Sequence, residues 1–103
     1  MKTFRVWWSP QSLDDLKNIY DHVYEQSPKG ADIVFDTLLD LGDSLNTLPD
    51  RFPLDHNVSN EQFTFRFIPK WDYKIFYRVN HKIDTVIIAR VFGTKQHPNK
   101  VDI

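Results

Sequence analysis

The sequence predicts an α+β domain of order β-α-α-β-β-β, an antiparallel sheet packed against an N-terminal helical hairpin, with the last three strands a meander and the first strand added. Three observations carry this. Two amphipathic stretches each open on a Ser-Pro pair, at Ser9-Pro10 and Ser27-Pro28. A short aromatic and β-branched run, residues 4–8, precedes them. Residues 62–98 then read as three runs in which apolar and basic residues alternate with a period near two.

The first strand is rich in residues that suit a pleated surface and stops at Ser9-Pro10. There Ser9 can cap the orphan amides of a helix, and Pro10 takes the first helical position, where its missing N–H costs nothing. Leu13, Leu16, Ile19, Tyr20 and Val23 follow at helical spacing and predict one core-facing stripe. After a break at Glu25-Gln26, Ser27-Pro28 repeats the start signal, and Ala31, Val34, Phe35, Leu38, Leu41, Leu45 and Leu48 carry the helical period to Pro49. Two amphipathic helices joined by so short a connection form an antiparallel hairpin. Residues 49–60, with two prolines, predict the longest loop. Connections at residues 69–72 and 80–84 have lengths suited to strand hairpins.

With 103 residues the chain makes one domain, able to bury roughly two-thirds of the surface its unfolded form exposes. There is no cysteine, hence no disulfide framework and no thiolate site, which agrees with a reducing cytoplasm. No stretch approaches the roughly 20 apolar residues of a membrane span, and the N-terminus lacks the apolar core of a signal peptide, so a soluble cytoplasmic protein with no membrane partner is expected. The net charge of -1 hides a division: residues 1–50 hold four basic residues against nine acidic, and residues 51–103 hold nine against five. Such a dipole can orient encounters with a charged partner, or simply reflect two solvated faces.

These residues, taken in order, resemble the RelE/ParE superfamily of toxins from bacterial type II toxin-antitoxin systems. The resemblance covers nearly the whole length. It rests on Val6-Trp7-Trp8-Ser9-Pro10, on Asp15-Leu16-Lys17-Asn18-Ile19-Tyr20 and on Ser27-Pro28 with Ala31. It continues through Leu48-Pro49, Phe65-Arg66-Phe67-Ile68, the run from Tyr73 through Lys74 and Tyr77 to Val79, and Val86 through Arg90-Val91 to Pro98. The resemblance implies a cognate antitoxin partner, no cofactor, and one of two targets. Some members cut messenger RNA on the ribosome, whereas ParE-like members poison DNA gyrase.

Two departures favour the gyrase branch. RNA-cutting members have an arginine in the strand where this chain has Lys74, which keeps the charge but loses the planar fork that grips a phosphate twice. Gly93 stands at the family's C-terminal histidine position, and no tyrosine follows Tyr77. His97, four residues on, has the unperturbed pKa of a general acid or base, though nothing in the sequence places a partner beside it. The near-neutral charge also argues against a protein that grips ribosomal RNA through phosphates. The expectation is therefore a gyrase inhibitor rather than an enzyme, with a ribosome-dependent mRNA endonuclease as the alternative and a degenerate toxin retaining only antitoxin binding as a third.

Candidate target-binding residues are Arg66, Lys74, Arg78, Arg90, Lys95 and Trp71; in the nuclease reading Lys74, Arg66 and Arg78 bind phosphates and His97 moves the proton. Alternation alone does not place the arginines on one face, because the last strand is apolar at both parities up to Arg90. Arg90 otherwise reads as a structural ion pair with Asp72 or Asp84. Asp32, Asp36, Asp40 and Asp43 form an acidic stripe on the second helix, which usually means a solvated face. Carboxylates strung along one face do not converge on a cation, and His22, His56, His81 and His97 lack ligand spacing, so no metal site is expected.

Overall fold

A computed structural model describes residues 1–59 and 61–94 of the chain. Two helices and four strands follow in the expected order: β1 (Arg5–Trp8), α1 (Pro10–Tyr24), α2 (Pro28–Asp43), β2 (Arg66–Lys70), β3 (Tyr73–Asn80) and β4 (Thr85–Gly93). The sheet order is β1-β4-β3-β2. The last three strands are an antiparallel meander, and β1 joins the outer edge of β4 in parallel, so the sheet as a whole is mixed.

Both helix starts follow from local chemistry. Ser9 Oγ accepts from the Ser12 amide at 3.1 Å, and Ser27 Oγ accepts from the Gly30 amide at 3.0 Å, each before a proline at the first helical position. Ser9 also ties the helix to the sheet, since its amide donates to Ile88 O at 3.0 Å and its hydroxyl to Ala89 O at 2.8 Å. The helical hairpin covers one face of the sheet, where Leu16, Leu38 and Leu45 meet Ile68, Ile75, Tyr77, Val86, Ile88 and Val91.

The apolar stripes are shorter than the periodicity suggests. Leu13 is half-exposed, because α1 turns that position away from the sheet. The second helix ends at Asp43 and passes into a 3-10 turn, Ser44–Asn46, rather than running to Pro49. Leu45 stays in the core from that turn, but Leu48 reverses the chain with a φ of 47° and lies 60% exposed. Trp8 packs against the last turn of α2, its ring so close to Gly42 that a Cβ there would stand 2.1 Å from its Cζ2.

The long loop is pinned rather than loose. A second 3-10 turn, Pro49–Arg51, offers the Pro49 carbonyl to the buried Tyr77 hydroxyl at 2.5 Å. Leu54 bridges to Arg66, and the Phe67 amide donates to Pro53 O at 3.1 Å, which covers the start of the β2 edge. Phe67 turns its amide away from β3, so Pro69, two residues on, puts its missing donor on that same outer edge. Pro69 and Lys70 thus belong to β2, and the hairpin closes on Trp71 and Asp72 alone.

Candidate functional site

The helices leave one face of the sheet open to other contacts. Alternation along β3 sends Ile75 and Tyr77 into the helix-side core, so Lys74, Phe76 and Arg78 point to the opposite face. There a second, smaller apolar cluster forms from Val58, Phe65, Phe76 and Phe92, with Phe67 and Ala89 against it. Two of its bordering cations rest on aromatic rings: Lys74 Nζ is 4.6 Å from the centroid of Phe67, and the Arg78 guanidinium 4.1 Å from that of Phe63. The register aligns Arg78 with Ile87 and Ile87 with Trp7, which extends this face across to the half-exposed Trp7. Trp7 and Arg5 were not among the candidates read from sequence. Their parity opposite Val6 and Trp8 was the available signal, but four residues are too few to show which parity is buried.

Arg66 does not join this face. It pairs with Tyr77 and so points toward the helices, where its guanidinium donates to Phe52 O at 2.6 Å and lies 3.5 Å from Asp50. The phosphate-binding trio of the nuclease reading is therefore divided between the two faces of the sheet. Trp71 occupies the hairpin tip with a φ of 51°, 55% exposed, with Lys70 Nζ 4.8 Å from its ring centroid. Lys95 and His97 lie outside the described residues.

Arg90 is placed by a β-bulge. The register slips between Phe76 and Tyr77, which pair with Arg90 and Ile88, and this leaves Ala89 as the extra residue. β1 has ended by then, and the bare edge of β4 is met by Asp15 of α1. Its carboxylate accepts from Arg90 Nε at 2.8 Å, from Arg90 Nη2 at 3.0 Å and from the Val91 amide at 2.9 Å. Asp15 thus takes the role read from sequence for Asp72 or Asp84; Asp84 instead pairs with Lys2 at 2.9 Å. The hydrogen bond to Asp15 raises the Arg90 pKa above its already high ordinary value, against a smaller opposing effect of burial.

Beside this clamp a cavity of about 270 Å³ opens between α1 and the ends of β3 and β4, lined among others by Asn18, His22, Tyr73 and Gly93. Burial, assisted by Asp72, raises the Tyr73 pKa, so its phenol keeps its proton at neutral pH. Asp15 is committed to three donors and is no free base for this cavity.

The acidic stripe of α2 is exposed along its length, with Asp32 accepting from the Tyr20 hydroxyl and Asp43 from Trp8 Nε1, both at 3.0 Å. Among the described residues no group of three or more His, Cys, Asp or Glu side chains is placed to hold a metal ion, and no helix is long and apolar enough to cross a membrane.

Charge is sorted by layer. The four strands contain no acidic residue and six cations, Arg5, Arg66, Lys70, Lys74, Arg78 and Arg90. The two helices carry seven aspartates against Lys17 and Lys29.

Comparison with known proteins agrees with this architecture. A chain of the chromosomal ParDE TA system from P. aeruginosa superposes with a TM-score of 0.70 at 18% identity, over 90% of this chain and 98% of that one. A chain of the toxin-antitoxin complex RelBE2 from Mycobacterium tuberculosis gives 0.65 at 18% identity, over 90% and 93%. A chain of the archaeal RelE-RelB complex from Pyrococcus horikoshii gives 0.61 at 20%, over 88% and 94%. At such identities the likeness bears on the fold. A search of curated proteins gives no match. The family model of the ParE toxin of the type II toxin-antitoxin system parDE matches residues 6–98, and the chain belongs to that family.

Proposed function

We propose that this toxin is ParE-like in its action: it inhibits DNA gyrase in the cytoplasm and is held inactive by a cognate antitoxin. The observation that carries the choice of target is the dispersal of the cations that RNA cleavage would need. Lys74 and Arg78 lie on the open face, Lys74 resting on Phe67, whereas Arg66 faces the helices and bonds Phe52 O, so the phosphate-binding trio is divided. The sheet that carries Lys74 and Arg78 has no carboxylate and no histidine in its strands, so these supply no such general acid or base of their own. An antitoxin partner is supported by the similar structures, which are of toxin-antitoxin systems or complexes. A groove of about 380 Å³ lined by Lys17, Tyr20, Asp32 and Phe35 would suit an amphipathic segment that folds on binding.

Induction of the chain alone in bacteria, with thymidine and methionine incorporation followed over the first minutes, tests the target. Early loss of thymidine incorporation with methionine uptake persisting is the expected result. Early loss of methionine incorporation would instead point to the ribosome. That second reading draws on Lys74 and Arg78 sharing a face free of acidic strand residues, and it requires that replacing Lys74 abolish cutting.

A further inference from the structure

Among the described residues, three other than glycine take a left-handed φ: Leu48 at 47°, Trp71 at 51° and Asp84 at 50°. Two have local reasons. The Leu48 carbonyl accepts from the Arg51 amide at 3.2 Å and its guanidinium at 3.0 Å, which closes the turn that serves Tyr77. Aspartate tolerates this region, and the Asp84 carbonyl accepts from the Arg5 amide at 2.9 Å while its carboxylate meets Lys2.

At Trp71 the turn accounts for the φ but not for the side chain. The residue opens a two-residue hairpin loop, where a positive φ is ordinarily supplied by glycine or asparagine, and a bulky side chain is disfavoured there. Its ring belongs to neither apolar cluster and stands 55% exposed. The two-residue turn imposes the positive φ, but neither apolar cluster calls for a tryptophan at that position, and it is the most exposed one of the chain. Lys70, stacked on the ring at 4.8 Å, brings positive charge to the tip, and Lys74 adds a second cation near the start of β3, with its ammonium 4.6 Å from the Phe67 ring centroid.

We propose that the β2–β3 hairpin tip is a docking element: Trp71 enters an apolar recess of the toxin's protein target, and Lys70 and Lys74 meet carboxylates on the rim of that recess. The proposal rests on the reading of the chain as a toxin with a protein target. A short, closed hairpin presents a rigid convex wedge, which needs a concavity already formed in a folded partner. A segment that folds only on binding offers none, so the wedge is assigned to the target and not to the antitoxin. Tryptophan is among the residues enriched at interface hot spots, which cluster in desolvated pockets, and rim charges speed association.

The test separates anchoring from packing. Trp71→Gly and Trp71→Asn both accept a positive φ, so each variant should melt at or above the temperature of the parent protein. Each should need at least tenfold more protein to inhibit supercoiling by purified DNA gyrase, while Trp71→Phe keeps a substantial part of the effect. Lys70→Glu combined with Lys74→Glu should slow association and weaken its salt dependence.

A lowered melting temperature in both Trp71 variants would make the residue a packing element and overturn the proposal, as would undiminished inhibition. Loss of antitoxin binding with inhibition intact would overturn it too. If the parent protein leaves gyrase untouched yet arrests growth, the gyrase reading fails and the same variants are scored by growth arrest: loss supports the wedge and retention overturns it. A parent protein that does neither overturns both.

Discussion

Replacing Tyr77 by phenylalanine isolates a single buried hydrogen bond whose worth changes sharply with pH. The Tyr77 ring is fully buried at the centre of the sheet, and its hydroxyl donates to Pro49 O at 2.5 Å, which fastens the long loop to β3. Burial, outweighing the nearby guanidiniums of Arg66 and Arg51, pushes its pKa up to about 12 from an ordinary value of 10.0. At neutral pH Tyr77→Phe leaves a buried carbonyl without its donor, a loss of about 1–3 kcal/mol. Above pH 10 the unfolded chain releases the phenolic proton while the folded one retains it. The unfolded state then binds fewer protons, so the stability of the parent protein falls by up to about 1.4 kcal/mol per pH unit until about pH 12. The phenylalanine variant lacks this loss. Urea unfolding at pH 7.5 and at intervals from 9 to 12 should therefore give two stability curves that are separated at neutral pH and converge in the alkaline range. Tyr73 and Tyr20, whose pKa values are also raised, act equally in both proteins and cancel from the difference. Curves that stay parallel to pH 12 would refute the assignment of the shift to burial of Tyr77.

Gly42→Ala should destabilise by about 1–2 kcal/mol in urea unfolding: its Cβ would stand 2.1 Å from Trp8 Cζ2 and 2.9 Å from Ile88 Cδ1, and overpacking outweighs alanine's better helix propensity. The cost should shrink in a Trp8→Phe background, which a double-mutant cycle measures. Asp15→Ala removes the carboxylate from both the Arg90 guanidinium and the Val91 amide, and a loss of roughly 3 kcal/mol is expected, with fast amide exchange at Val91 as a local readout. Ser9→Ala removes the cap on α1 and the bond to Ala89 O, and should lower stability by about 1–2 kcal/mol.

The parts of the fold that were legible in the sequence are those set by local chemistry. The two Ser-Pro pairs mark helix starts because cap and proline act within three residues, and the three-strand meander follows from period-two runs joined by short turns. What escaped was set at long range. No periodicity announces that Trp8 will press against Gly42 or that α2 will tighten into a 3-10 turn at Ser44, and the spacing of Leu45 and Leu48 reads as continued helix. The parallel course of β1 follows from the helical hairpin, which brings the chain back to the far side of the sheet before the meander begins. Arg90 was ambiguous because the bulge at Ala89 switches the parity of β4, with Ile88 and Val91 both entering the core, and its partner Asp15 is 75 residues away. Lys74 and Arg78 separate from Arg66 by strand parity, which the sequence contains but which needed the buried Ile75 and Tyr77 to fix its sense.

The sorting of charge by layer bears on how the molecule meets a partner, and the count of cations overstates it. Of the six in the strands, Arg66 and Arg90 are bound to Asp50 and Asp15, so their substitution acts on folding before it acts on recognition. Arg5, Lys70, Lys74 and Arg78 form no ion pair with an acidic residue among the described residues. Arg5, Lys74 and Arg78 lie on the face turned away from a helical layer dominated by aspartate, with Lys70 at the hairpin tip, and the net charge of -1 conceals a dipole across the sheet. With a screening length of about 8 Å at physiological salt, the opposing layers of so thin a molecule are felt separately by anything at contact range. An acidic partner therefore meets the sheet side as a cation, although at longer range the protein carries almost no net charge to draw it in. Specific recognition must then come from short-range fit, which is the demand that an exposed, conformationally costly Trp71 among lysines is suited to meet.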